Sequence, residues 1–126
     1  MARIVVMGAG IGGISQIYEL QKELGTKHQI VLVGDSDRFE FTPSNPWVAV
    51  GWRKPSQMTI DLRKLMQKHR IEFHSQGVRR LHPSENRIEL NDGSGITYDF
   101  LVIATGPKLA FEEVMGLGPE TGYTQS

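Results

Sequence analysis

The sequence predicts an α/β fold, a parallel sheet with a three-stranded antiparallel meander inserted before its last strand. Three observations predict it. The chain opens on an apolar run, Ile4–Met7, that passes directly into a glycine-rich turn at 8–13, and a second apolar run, Gln29–Val33, follows one helix later. Three short stretches of alternating character, 78–82, 87–90 and 95–98, are separated by the turn signals Pro83-Ser84-Glu85-Asn86 and Asn91-Asp92-Gly93. A continuous apolar run around Leu101–Ile103 then ends in Ala104-Thr105-Gly106-Pro107, as a strand covered on both faces does.

In the first unit each glycine of Gly8-x-Gly10-x-x-Gly13 has a separate task. Gly8 permits a tight strand-to-helix turn, Gly10 lets backbone N–H groups approach a pyrophosphate without a Cβ between, and Gly13 lets the helix lie close on the strand. A phosphate would then sit on the helix N-terminus, where unpaired N–H groups and the macrodipole favour an anion. Glycine-rich turns also follow apolar strands for structural reasons alone, so the flanking elements decide. Ile14, Ile17, Leu20 and Leu24 fall at helical spacing, Gly25 supplies the stop, and Gln29–Val33 has the length and β-branched content of a second strand. Together they make a βαβ unit of the Rossmann-like kind, about 30 residues long. Asp35 lies 22 residues after Gly13, near the spacing at which an acidic side chain meets a ribose hydroxyl. Gly34 occupies the position that ends the strand, so the Asp35 carboxylate either turns toward the ribose or accepts N–H groups of its own turn.

From Ser36 to Pro55 periodicity lapses in a segment rich in aromatic residues and proline. Phe39, Phe41, Trp47 and Trp52 read singly as core, and the whole segment as one wall of a cofactor site. Thr59 reads as the cap of a helix through Lys68 whose Ile60, Leu62, Leu65 and Met66 share a face. Ile71–His74 reads as a third parallel strand. The 101–103 strand belongs in the middle of the parallel sheet, beside the first strand, so that Ala104-Thr105-Gly106 reaches the carboxyl edge where ligands of such folds bind.

A chain of 126 residues is about one domain and can bury roughly 65% of its unfolded surface. Fourteen Lys and Arg balance fourteen Asp and Glu, so no overall field recruits nucleic acid or an anionic membrane, and the Arg79-Arg80 pair reads as a solvated strand edge. Without cysteine there is no disulfide, thiolate nucleophile or thiolate metal site. The four histidines show no metal-ligand spacing. The N-terminal apolar run is too short for a signal peptide or a membrane span.

With these residues in place, the chain resembles the amino-terminal part of the two-dinucleotide-binding flavoproteins, the disulfide reductase and type II NADH dehydrogenase superfamily. There a GxGxxG turn, a three-stranded meander and a TYDxLVIATG segment together bind FAD, and here Gly8-Gly10-Gly13, residues 78–98 and Thr97 to Gly106 correspond to them. Within that superfamily the chain is similar to sulfide:quinone oxidoreductases, through Phe41-Thr42-Pro43-Ser44-Asn45-Pro46-Trp47 with Gly51-Trp52 and through Ala104 to Leu109. The resemblance implies that Gly8, Gly10, Gly12 and Gly13 face the FAD pyrophosphate and Asp35 the adenosine ribose. It places the Val78 backbone at the adenine, Ala104, Thr105 and Gly106 at the middle of the cofactor, and Pro43 and Asn45 near the flavin.

It further implies that residues 1–126 are a fragment of a larger flavoprotein, the first part of an FAD/NAD(P)-binding domain. A second nucleotide-binding domain, a carboxy-terminal return and a redox cysteine shortly beyond Ser126 would lie outside it. The 126-residue chain alone would then be inactive and prone to self-association. The parent would pass electrons from sulfide to quinone through FAD at a membrane surface, attached peripherally. A type II NADH:quinone dehydrogenase, or another pyridine nucleotide-disulfide oxidoreductase, is the near alternative. A regulatory NAD-binding Rossmann module is the alternative of another class, and it would continue in βα repeats where this chain has its aromatic segment and meander.

Overall fold

The computed structural model describes residues 1–118 and 120. The chain divides into two compact units, Met1–Glu40 with Thr59–Gly106, and Phe41–Met58 with Pro107–Ser126.

In the first unit, strand β1 (Arg3–Met7) pairs in parallel with β2 (Gln29–Val33), with Val5 opposite Val31 and Val6 opposite Leu32. Because side chains alternate across a strand, these runs supply two cores at once. Val5, Val31 and Val33 pack with Ile88, Leu90 and Ile96 on one face, while Val6, Ile30 and Leu32 pack with Ile17, Met66 and Ile71 on the other. Each such side chain contributes about 1.5–3 kcal/mol relative to exposure. That double burial is why both runs are unbrokenly apolar.

The second of these faces is covered by helix α1 (Ile11–Leu24) and the later helix of this unit. Helix α1 buries Gly13 and Ile17 and ends where Gly25, at φ +58°, donates its N–H to the Gln21 carbonyl. The first face is covered by the meander.

Strand β3 (Arg38–Glu40) pairs antiparallel with β4 (Thr59–Asp61), Phe39 opposite Ile60. This corrects the reading of Thr59 as a helix cap. Thr59 and Ile60, β-branched and well suited to a strand, serve as the partner of β3, and Ile60 is exposed, outside any helix face. The helix begins two residues later, as Leu62–Lys68, when the Asp61 carboxylate accepts the Lys64 N–H at 3.2 Å. Its Leu62 and Met66 are fully buried.

Strand β5 (Glu72–His74) joins β2 in parallel, and strands β6 (Val78–His82), β7 (Arg87–Leu90) and β8 (Gly95–Thr97) form the expected meander. Arg79 and Arg80 lie exposed on β6, an outer strand of that sheet. Strand β9 (Phe100–Ile103) returns beside β1, with Val5 opposite Leu101, giving the sheet order β5-β2-β1-β9. The adjacency to β1 is as the sequence predicts, but the central position is not. Among the described residues β9 is an edge strand, and Phe100 and Ile103 are 63% and 59% exposed because no further strand or layer covers them.

In the second unit, a 3₁₀ turn at Thr42–Ser44 leads into helix α2 (Asn45–Ala49), which has proline in its first turn, where a missing N–H costs no hydrogen bond. The guanidinium of Arg53 lies 4.5 Å over the Trp47 ring and donates at 2.7 Å to the hydroxyl of Ser44, whose side chain is wholly buried. The reading of the aromatic rings as core fails for three of them: Phe41 and Trp47 are two-fifths exposed, and Trp52 is 76% exposed. Sequence alone registers their apolar area but not whether a layer exists to cover it.

Candidate functional site

The parallel strands all end at one edge, and their ends are stitched together by backbone bonds that run on beyond the ladder. Gly8 donates to Val33, Gly34 to His74, Gly77 to Gly34 and Ala104 to Met7, all at 2.7–2.8 Å. The result is a continuous rim from β9 to the start of the meander. Above it lies a cleft of about 610 Å³ formed within the first unit. It is lined by the glycine-rich turn at Gly8–Gly10, the residues after β2 from Gly34 to Ser36, Gly77 and Val78 at the start of the meander, and Thr105 after β9.

The glycines of the turn are present for three different reasons. Gly8 has φ +110°, and a Cβ there would overlap the Ala104 carbonyl and come within 2.8 Å of the Thr105 nitrogen. The first turn and the end of β9 are therefore in contact. A Cβ on Gly13 would overlap the Gly8 carbonyl oxygen and stand 2.9 Å from its carbon, so this residue sets the close seat of α1 on β1. A Cβ on Gly12 would stand 3.9 Å from the Ala104 methyl, an ordinary contact. Gly10 differs from all of these. It has φ −81°, open to any residue, and a Cβ added to it would meet nothing within 4 Å. It lines the cleft, and only an occupant of the cleft would require it to be bare.

Gly10 is also the N-cap of α1, whose start carries neither a side-chain cap nor an acidic residue in its first turn. The first N–H groups of the helix and its positive dipole end are thus left to an anion in the cleft. A phosphate group fits this arrangement: bare backbone, unpaired donors and no competing carboxylate in the first turn of the helix.

Asp35 lines the cleft, and its carboxylate accepts no hydrogen bond from the described residues, so the alternative in which it caps its own turn is not realised. The Ser36 hydroxyl takes that part, accepting the Arg38 N–H at 3.1 Å. Gly34 is explained by space. A Cβ there would stand 2.8 Å from the Cβ of Ala9, where β2 and the glycine-rich turn converge.

Val78 and Thr105 line the cleft, while Ala104 is committed through its backbone to Met7 and Gly8. Gly106 has φ +68° with open space about it, so its glycine serves the backbone turn. Pro43 and Asn45 lie in the second unit, at the 3₁₀ turn and the start of α2, and are not among the residues lining this cleft. Arg38, Phe39 and Glu40 complete the wall beyond Ser36; they fall in the 36–55 segment read as one wall of a cofactor site, though the sequence did not single them out as lining residues. Their one signal was a charged-apolar-charged alternation too short to mark a strand. No group of metal-ligating side chains occurs among the described residues.

A family model described as pyridine nucleotide-disulphide oxidoreductase matches residues 2–125. A sulfide-quinone reductase of Aquifex aeolicus is 42% identical over 86% of this chain and 25% of its own length. The solved structure of the sulfide:quinone oxidoreductase from that bacterium superposes with a TM-score of 0.83 at 40% identity, over 88% of this chain and 26% of that one. A type II NADH:quinone oxidoreductase of Staphylococcus haemolyticus is 22% identical over 82% of this chain and 26% of its own length. The chain thus spans about a quarter of the length of the relatives it matches. The matched family, the βαβ turn, the meander and the cleft at the carboxyl edge of the sheet agree on a flavin or dinucleotide cofactor, and the chain belongs to the pyridine nucleotide-disulphide oxidoreductase family.

Proposed function

We propose that this chain is the first part of an FAD-binding domain in a sulfide:quinone oxidoreductase. The observation that carries the nucleotide assignment is Gly10, whose bare face borders the cleft although nothing in the fold requires it. In this reading Gly8, Gly10, Gly12 and Gly13 present the turn and the α1 N-terminus to the pyrophosphate, and Asp35 accepts from the adenosine ribose. Val78 offers backbone to the adenine, Ala104, Thr105 and Gly106 flank the middle of the cofactor, and Pro43 and Asn45 approach the flavin. Bound flavin supplies the redox centre between a two-electron donor and a quinone.

The choice of sulfide as donor is supported by identity to the Aquifex enzyme, 42% against 22% for the type II NADH dehydrogenase. No side chain of residues 1–126 is a thiolate, so a sulfur-carrying nucleophile would come from elsewhere in the protein. Delivery of electrons to a quinone dissolved in lipid implies peripheral membrane association, and no described helix is long and apolar enough to cross a bilayer. The meander in place of a continuing βα repeat speaks against a regulatory NAD-binding module.

The test is reduction of a short-chain ubiquinone by the full-length, flavin-loaded protein. Rapid reduction with sulfide and none with NADH is expected. Reduction with NADH and none with sulfide would transfer the assignment to the NADH dehydrogenase class.

A further inference from the structure

Asn91 lies directly after β7, in a sequence, Asn-Asp-Gly, that reads as turn chemistry only. The turn does not use its side chain. Closure comes from the Gly93 N–H to the Leu90 carbonyl at 3.0 Å and the Leu90 N–H to the Ser94 carbonyl at 2.8 Å. The Asp92 carboxylate accepts from both the Ser94 N–H and its hydroxyl, at 2.9 and 2.6 Å. The Asn91 amide instead reaches back to the connection before β6, where Nδ2 donates to the Gln76 carbonyl at 2.7 Å. Its backbone N–H donates to the next carbonyl, that of Gly77, at 3.1 Å.

Two successive carbonyls are therefore held by two donors of one residue. From the other side, the Gly77 N–H donates to the Gly34 carbonyl at 2.8 Å, so the 76–77 backbone is clamped between Asn91 and the end of β2. Gly77 has φ +74°, and a Cβ on it would stand 2.7 Å from Asn91 Nδ2 and 3.6 Å from both Cα and Cβ of Asp35. Gly77 and Val78 line the cleft and Asn91 does not.

We propose that Asn91 is a positioning residue for nucleotide binding, its side-chain amide fixing the Gln76–Gly77 backbone so that the Val78 wall and Asp35 face one ligand, the adenosine half of a dinucleotide. This rests on the FAD reading above. Aspartate in its place would set a carboxylate oxygen against the Gln76 carbonyl, and alanine would leave that carbonyl without its donor.

The experiment measures affinities of the full-length apoprotein for FAD, for AMP as the adenosine half and for FMN as the flavin half. Asn91→Ala and the isosteric Asn91→Asp should each weaken FAD and AMP about three- to tenfold, the scale of one hydrogen bond, and leave FMN unchanged. Gly77→Ala should weaken FAD as well. Because Asn91→Ala removes the atom that crowds position 77, the double variant should lose less than the product of the two single losses. Unchanged FAD and AMP affinity in both Asn91 variants, an equal loss of FMN, or strictly multiplicative losses would overturn the proposal. The underlying reading fails separately: a wild-type protein that binds neither FAD nor AMP defeats it, whereas a wild type that binds FAD and loses it in Gly10→Val upholds it whatever Asn91 does.

Discussion

The three reasons for glycine in the first turn separate folding from binding by substitution. At Gly10 the backbone already has a φ that alanine accepts, and a Cβ would enter open space. The folded state then loses only the small preference of an N-cap for glycine over alanine, about 0.5 kcal/mol, while the unfolded chain loses about 0.4–1 kcal/mol of entropy. The two nearly cancel. Gly10→Ala should therefore unfold within a degree or two of the wild type, and Gly10→Val nearly so, since a β-branched side chain suits the extended backbone at this residue. Affinity behaves oppositely, because the added carbons stand between the turn N–H groups and the pyrophosphate. Displacing phosphates from two or three charge-assisted donors at about 1.5 kcal/mol each costs more than about 3 kcal/mol, a factor above 100 in Kd. At Gly13 the order reverses. Its Cβ would overlap the Gly8 carbonyl, backbone that cannot yield without moving α1 off β1, and overpacking of this kind costs about 1–3 kcal/mol or more.

The assay pairs the flavin-to-protein absorbance ratio of the purified full-length variants with melting of their apo forms. Gly10→Val is expected to be folded and flavin-free, and Gly13→Ala to melt several degrees lower. A folded Gly10→Val variant carrying near-stoichiometric flavin would refute the placement of the pyrophosphate.

Two further substitutions test the surroundings of the cleft. Asp35→Ala should weaken FAD by about 1–2 kcal/mol with no loss of apo stability, since its carboxylate has no partner among the described residues; unchanged affinity by titration would remove it from the ribose contact. Glu72, at the opposite end of the sheet, accepts from Gln29 at 2.6 Å, Arg3 at 2.9 Å and His74 at 2.8 Å. Burial acts to raise its carboxyl pKa, but the His74 hydrogen bond and the Arg3 charge outweigh burial and hold it below the usual 4.5. A lowered folded-state pKa contributes stability that is present above the unfolded value and lost as pH falls through the folded one. Glu72→Gln should therefore cost about 1 kcal/mol in urea unfolding at pH 7 and progressively less as the pH falls below 4.5, and a penalty independent of pH would count against the network.

What was legible in the sequence is what period and spacing encode. Val5-Val6 and Ile30-Val31-Leu32-Val33 are apolar at every position because both faces are buried, and the parallel pairing of β1, β2 and β9 follows from that. The meander was legible through its turns. The misplaced elements share a cause, which is that local composition does not reveal what lies alongside. Thr59-Ile60 fits a helix start until β3 is there to pair with it, and Leu101–Ile103 looks central until the sheet is seen to end beside it.

The site divides in the same way. The Gly8-x-Gly10-x-x-Gly13 spacing located the turn, but three identical letters hid a backbone requirement, a packing requirement and a vacancy beside the cleft, which only the surrounding atoms distinguish. Gly34, which ends the strand ahead of the acidic residue, is a consequence of Ala9, since the closeness of β2 to the turn leaves no room for any side chain there. The acidic group is consequently one residue on, at Asp35, against Gly77. Moving it back by Gly34→Asp would require Ala9 to give way, and the substitution Ala9→Gly is the change that would make such a move possible.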